Sequence, residues 1–218
     1  MRSLLKKEFS LCMHATNLLF LAFCCFVFIP NYPYEIAFFF SGLGVFFVCL
    51  TARENGDMAF SCTLPVKKRD AALARILFCV IFQIALLLLT GITVAIKEAV
   101  FPVEKQMNFA GSIANLALLG HGGVLLGVFN MIFFPWYFKN PNKVGLPFLV
   151  AAAAQFLLIA LLIVLRHAAP VYSDILTEVD PANMGVKAIF FSLGILVYCA
   201  LTALACVFSV RAFEKTDL

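Results

Sequence analysis

The chain has 218 residues, of which 63% are hydrophobic and 13% charged, far from the roughly half and quarter of a soluble domain. That composition predicts an integral membrane protein. Six spans of about twenty residues would leave no block of the roughly 50 residues that a soluble catalytic domain needs. The net charge of +4 says less than its placement, because Lys and Arg in a membrane protein first record orientation, so no nucleic-acid partner is inferred from it.

Residues 2–14 set Leu4, Leu5, Phe9, Cys12 and Met13 on one helical face and Ser3, Lys6, Lys7, Ser10 and His14 on the other. That spacing predicts an interfacial amphipathic helix. A signal peptide shares the basic start, but the nearest small-x-small triplet, Ala22-Phe23-Cys24, lies inside the apolar run instead of after it, so the segment is expected to stay in the mature protein. A short first span follows at 16–29, then a tight turn at Pro30, Asn31 and Pro33, and a second span at 36–50.

Residues 51–75, TARENGDMAFSCTLPVKKRDAALAR, are the one long polar interruption of the first half and carry five of the sixteen Lys and Arg. A simple turn needs only a few residues, so a structured docking element is expected here. Glu54, Asp57, Met58, Phe60, Leu64 and Pro65 mix acids with large apolar groups, as a short helix does when it presses into a partner's groove. Lys67, Lys68 and Arg69, with Lys6 and Lys7, are expected to contact anionic lipid.

The third span is predicted at 76–96, an outer loop at 97–110 and the fourth span at 112–135, closed by Trp136 and Tyr137 at the interface. A basic turn at 139–147 leads to the fifth span at 148–165, an outer segment at 166–187, the sixth span at 188–208 and a charged tail at 211–218. With both termini inside, twelve Lys or Arg fall on the cytoplasmic side and four outside, the positive-inside arrangement. The expected fold is all-α: six spans in one transmembrane domain, an N-terminal interfacial helix, and a cytoplasmic coupling helix between spans 2 and 3. The eight cysteines avoid the proposed outer loops and lack CxxC spacing, so neither disulfides nor a metal site is expected.

All twelve acidic residues fall outside the predicted spans, which disfavours an ion-coupled secondary transporter, since such proteins keep a carboxylate at depth. The chain has no phosphate-binding G-x-x-x-x-G-K-[ST] motif, so any work must come from another polypeptide. An intramembrane enzyme would need a partner for His121, and a non-transporting adaptor would need only the loop. His121, Asn130 and the Gly123/Gly127 pair are read as helix packing or a substrate path, with packing preferred. The run Ala151 to Ala154 suggests close packing. The 25 phenylalanines suit either an apolar cavity or a lipid-facing surface.

Glu54 and Asp57, then Leu64-Pro65-Val66 with its basic cluster, then Arg75 opening the third span, resemble the permease subunits of bacterial type-two ATP-binding-cassette exporters. The Pro135-Trp136-Tyr137-Phe138-Lys139 exit and the Arg211 to Lys215 tail agree. Lys67 stands where such permeases often carry a capping Ser or Thr, a loss of about 1 kcal/mol that Asp70 offsets in part through the helix dipole. The resemblance implies a homodimer in the bacterial plasma membrane with two ATPase subunits docked on the loop helix. ATP and Mg would be bound by the ATPase and no cofactor by this chain. The first and fifth spans would line the two-fold axis near Ala154. Cargo would be an amphipathic peptide, such as a phenol-soluble modulin or antimicrobial peptide, or a lipid.

Overall fold

The computed structural model describes residues 2–13, 15–30, 32–102, 107–108 and 111–216. His14, Asn31 and part of the 97–110 loop lie outside the described residues. Within them the regular structure is helical, with one isolated bridge between Met107 and Ile113.

Helix α1, Arg2–Lys7, runs into a π turn, Glu8–Cys12. α2, Ala15–Leu21, continues as a 3-10 stretch, Ala22–Phe28, and the two N-terminal segments meet at 93°. The 3-10 stretch lengthens the second of these segments. Fourteen α-helical residues would rise about 21 Å, whereas half of them at the 3-10 rise reach about 24 Å. Its last carbonyls are met by a cation, as a helix C-terminus favours: the Lys97 ammonium donates to Val27 O at 2.9 Å and to the Tyr34 hydroxyl at 2.6 Å.

The five helices long and apolar enough to span are α3, Ile36–Glu54; α5, Lys68–Val100; α6, Leu116–Lys139; α7, Gly145–Ala168; and α9, Met184–Glu214. Each overruns its predicted span at one end or both, because hydropathy marks the lipid-immersed part while the hydrogen-bond ladder continues into the interface. The polar link between spans 2 and 3 therefore shrinks to 55–67, and the expected charged tail is helix as far as Glu214. α6 begins later than expected, since the Asn115 side chain caps it by accepting from Leu118 N at 3.3 Å. Pro135 does not end α6; it costs one ladder bond and the helix runs one more turn.

Two shorter helices complete the set. α4, Asp57–Thr63, lies between α3 and α5, set off by Gly56 in the left-handed region (φ 62°) and by extended Leu64. α8, Pro170–Leu176, lies in the segment between α7 and α9 and was not expected. The N-cap of α5 is Lys67 with no side-chain bond to the backbone, and Asp70 sits in the first turn.

α6 is the central column. Its Phe129, Phe133 and Tyr137 rings stack at 5.2 and 5.7 Å, and with Phe78, Phe134, Phe138 and Phe213 they are wholly buried. These phenylalanines are therefore packed inside the chain, and Phe78 also borders a small cavity. α6 packs on α9 through glycines. A Cβ on Gly120 would lie 2.7 Å from Phe190 O, and one on Gly123 2.9 Å from Gly194 O. The backbones touch, as small residues allow where no water is available to drive association. An amide ring ties α5, α6 and α9 beside this seam. Gln83 and Asn130 exchange bonds of 2.7 and 2.8 Å, Tyr198 donates to Gln83 at 2.9 Å, and Asn130 donates to Thr202 at 3.0 Å.

Candidate functional site

Side-chain contacts bring both ends of the chain to one face: Arg75 of α5 pairs with Glu8, Lys68 Nζ donates to Thr216 O at 2.6 Å, and Thr216 Oγ1 reaches Phe138 O and Lys139 O at 3.3 Å. This terminus face also carries α1, α4 and the 140–144 link.

Here the sequence reading missed the most concentrated charge in the molecule. Arg75, wholly buried, donates to Glu8, to Asp57 and, at 3.2 Å, to Cys12 Sγ. Lys7 Nζ adds contacts of 2.8 Å to Asp57 and 3.4 Å to Glu8, and donates to Ser61 Oγ at 2.7 Å. Three elements supply the groups. α1 with its π turn brings Lys7, Glu8 and Cys12, α4 brings Asp57 and Ser61, and the second turn of α5 brings Arg75. Glu8 and Cys12, one turn apart in the π turn, face the same guanidinium.

Burial opposes ionisation of Asp57, but the bond from Lys7 and the Arg75 and Lys7 charges hold its carboxyl below the usual carboxylate range. Burial pushes the Cys12 thiol up to about 12, so it remains a neutral donor, contacting Asp57 at 3.7 Å. Glu8, Cys12 and Asp57 present donor atoms within 4.8 Å of one another, a spacing that suits a metal ion. Two cations already neutralise the two carboxylates, however, and Arg75 donates to all three groups. The cluster is a salt-bridged joint. A signal for it was present in the sequence: Arg75 stands alone among Ala71, Ala72, Leu73, Ala74, Ile76 and Leu77, where a cation demands a carboxylate.

The joint reassigns several expected contacts. Asp57 and Met58 are turned inward, 6% and 5% exposed, because α4 must bury one face on α5 to stay folded. In this structure they lie on the inner side of α4, and Met58 borders a recess shared with Tyr137 and Pro141. Glu54, Phe60, Leu64 and Pro65 remain exposed, Phe60 at 58%. Of the basic residues, Lys7 points into the joint and Lys68 binds the tail carbonyl, whereas Lys6, Lys67 and Arg69 stay exposed.

At the opposite face Arg166 pairs with buried Glu35. Asn115 donates to Leu176 O and Glu178 O at 2.7 and 3.0 Å, Asp180 accepts from Leu116 N at 3.0 Å, and Lys187 meets Asp180 at 2.8 Å. These contacts fold α8 over the ends of α6 and α9. His121 sits little more than one turn inside α6, and its Nε2 meets the Tyr172 hydroxyl of α8 at 2.7 Å. Gly123 and Gly127 lie in the seam with α9, Asn130 is in the amide ring, and Ala154 is half-buried on α7. These residues do not converge on a single site.

Residues 3–214 match the sequence family described as ABC-2 family transporter protein. The chain belongs to that family and is a multi-pass transport permease. No curated protein and no solved structure matches it.

Proposed function

We propose that this permease is the membrane subunit of an ATP-driven exporter, and that a separate ATP-binding-cassette ATPase docks on α4. The observation that carries the proposal is the joint: a seven-residue helix outside the spans, fixed through Asp57 to Arg75 of α5 and, through Arg75 and Lys7, to the N-terminal helix. A push on α4 would move two elements with it. Phe60, Leu64 and Pro65 leave an apolar surface beside Glu54, and a cluster of this kind outside the bilayer points to a protein partner. The ATPase would bind ATP and Mg.

In this reading the terminus face, with its excess of Lys and Arg, is cytoplasmic in a bacterial plasma membrane. Two permeases and two ATPases form the complex, and the cargo is an amphipathic peptide or lipid that already partitions into bilayers. Co-purification of the cognate ATPase with the tagged permease tests the docking. Phe60→Asp and Leu64→Asp are expected to reduce recovery at least tenfold, and Glu54→Lys to reduce it severalfold. Full recovery with both apolar sites replaced would overturn docking through α4.

A further inference from the structure

Between the first turns of α5 and the last turns of α9 the terminus face has an open groove of about 370 Å³. Arg69 and Leu73 lie one turn apart on α5. On α9, Val210 and Arg211 lie three and four residues beyond Val207, and Glu214 lies three beyond Arg211, so the four share one face. Both stripes change from apolar to charged toward the same end, which is where the apolar runs of the two spans stop. The bond from Lys68 to Thr216 O joins the same two helix ends beside the groove.

The two arginines are exposed, and among the described residues neither has an ion-pair partner. Guanidinium groups bind phosphate oxygens through paired N–H donors, and the floor of Leu73, Cys206, Val207 and Val210 offers apolar cover directly beneath. We propose that this groove seats an anionic glycerophospholipid, its phosphate held by Arg69 and Arg211 and an acyl chain lying along the floor. Two arginines and Glu214 leave the seat with one net positive charge, which a phosphodiester with a single negative charge neutralises. Glu214 can also accept from headgroup hydroxyls, so phosphatidylglycerol is the lipid of matching chemistry. A soluble anion would satisfy the arginines but leave the floor uncovered.

The full-length permease is reconstituted in nanodiscs containing phosphatidylglycerol and phosphatidylcholine, extracted in mild detergent and weighed by native mass spectrometry. The expected result is about one retained phosphatidylglycerol per chain, falling at least fivefold in the Arg69→Gln/Arg211→Gln double variant and unchanged in Lys143→Gln, an exposed lysine of the 140–144 link. Arg211→Lys keeps the charge but loses the fork and should give intermediate retention, which tests the seat even if the double variant folds poorly. Equal retention by the double variant, or equal retention of phosphatidylethanolamine in matched nanodiscs, overturns the proposal. Displacement of the lipid by millimolar inorganic phosphate also overturns it, since the ligand would then be phosphate alone.

Discussion

Arg75 shows how a single buried cation can organise a membrane protein's interface. Removing one partner of a buried ion pair leaves the others uncompensated and costs about 3–5 kcal/mol, whereas an exposed pair is worth at most about 1 kcal/mol. Arg75→Ala would leave Glu8 and Asp57 facing each other with only Lys7 between them, and Arg75→Lys would keep the charge but cannot donate in three directions. The expected outcome is a large fall in melting temperature for Arg75→Ala, a smaller fall for Arg75→Lys, and release of the N-terminal helix to limited proteolysis in both. Arg53→Ala is the control, because Arg53 and Glu54 form an exposed pair of 38% and 61% side-chain accessibility at 3.8 Å. Protection of residues 2–12 equal to the parent's in Arg75→Ala would show that the joint does not hold the helix.

At the scale of elements, hydrophobic runs and basic clusters were enough to locate the long apolar helices, a helix at the N-terminus and a short helix between spans 2 and 3, since each follows from composition within one segment. Which faces those elements bury was less legible. The Lys7 and Glu8 positions look like a solvated edge until Arg75 is brought against them from 67 residues away. α8 has seven residues and is held by carbonyl contacts to Asn115 that leave no trace in hydropathy. The glycines were legible as a packing seam, and only their partner, Gly194 on α9, was hidden. The seam also gives a sharp test. A methyl on Gly123 would press on the Gly194 carbonyl, which is backbone and cannot swing aside, whereas one on Gly145 meets nothing within 4 Å. Gly123→Ala is therefore expected to destabilise by about 1–3 kcal/mol, the usual cost of overpacking, and Gly145→Ala to leave the melting temperature unchanged. Equal melting of the two variants would mean that α6 and α9 are not in backbone contact.

For the whole molecule, the helices are unequally covered. Along its apolar stretch α6 is 61% buried, but α7 and α9 are only 22% buried, so these two offer a second copy the most uncovered surface. α7 is the better candidate because its exposed stripe adjoins half-buried rings on its neighbours. Phe39 of α3 packs on Phe156 at 4.6 Å, and next to Phe39 the Phe40 ring continues through Phe23 at 4.5 Å to Phe26 at 4.4 Å. An aromatic band thus runs from the first span across α3 to the fifth, the two spans expected at the two-fold axis. On α7, Ala151 and Ala152 are buried, Ala154 is half-buried, and Ala153 and Leu157 are exposed. Close approach of a second α7 would therefore centre on Ala153, since small residues let helices touch in lipid. In a background without the eight native cysteines, Ala153→Cys and Leu157→Cys should give strong disulfide-linked dimers under mild oxidation and Ala154→Cys weaker ones. Leu88→Cys on α5 and Leu196→Cys on α9, 65% and 64% exposed, should give none. Crosslinks confined to Leu196 or Leu88 would move the two-fold axis to another helix.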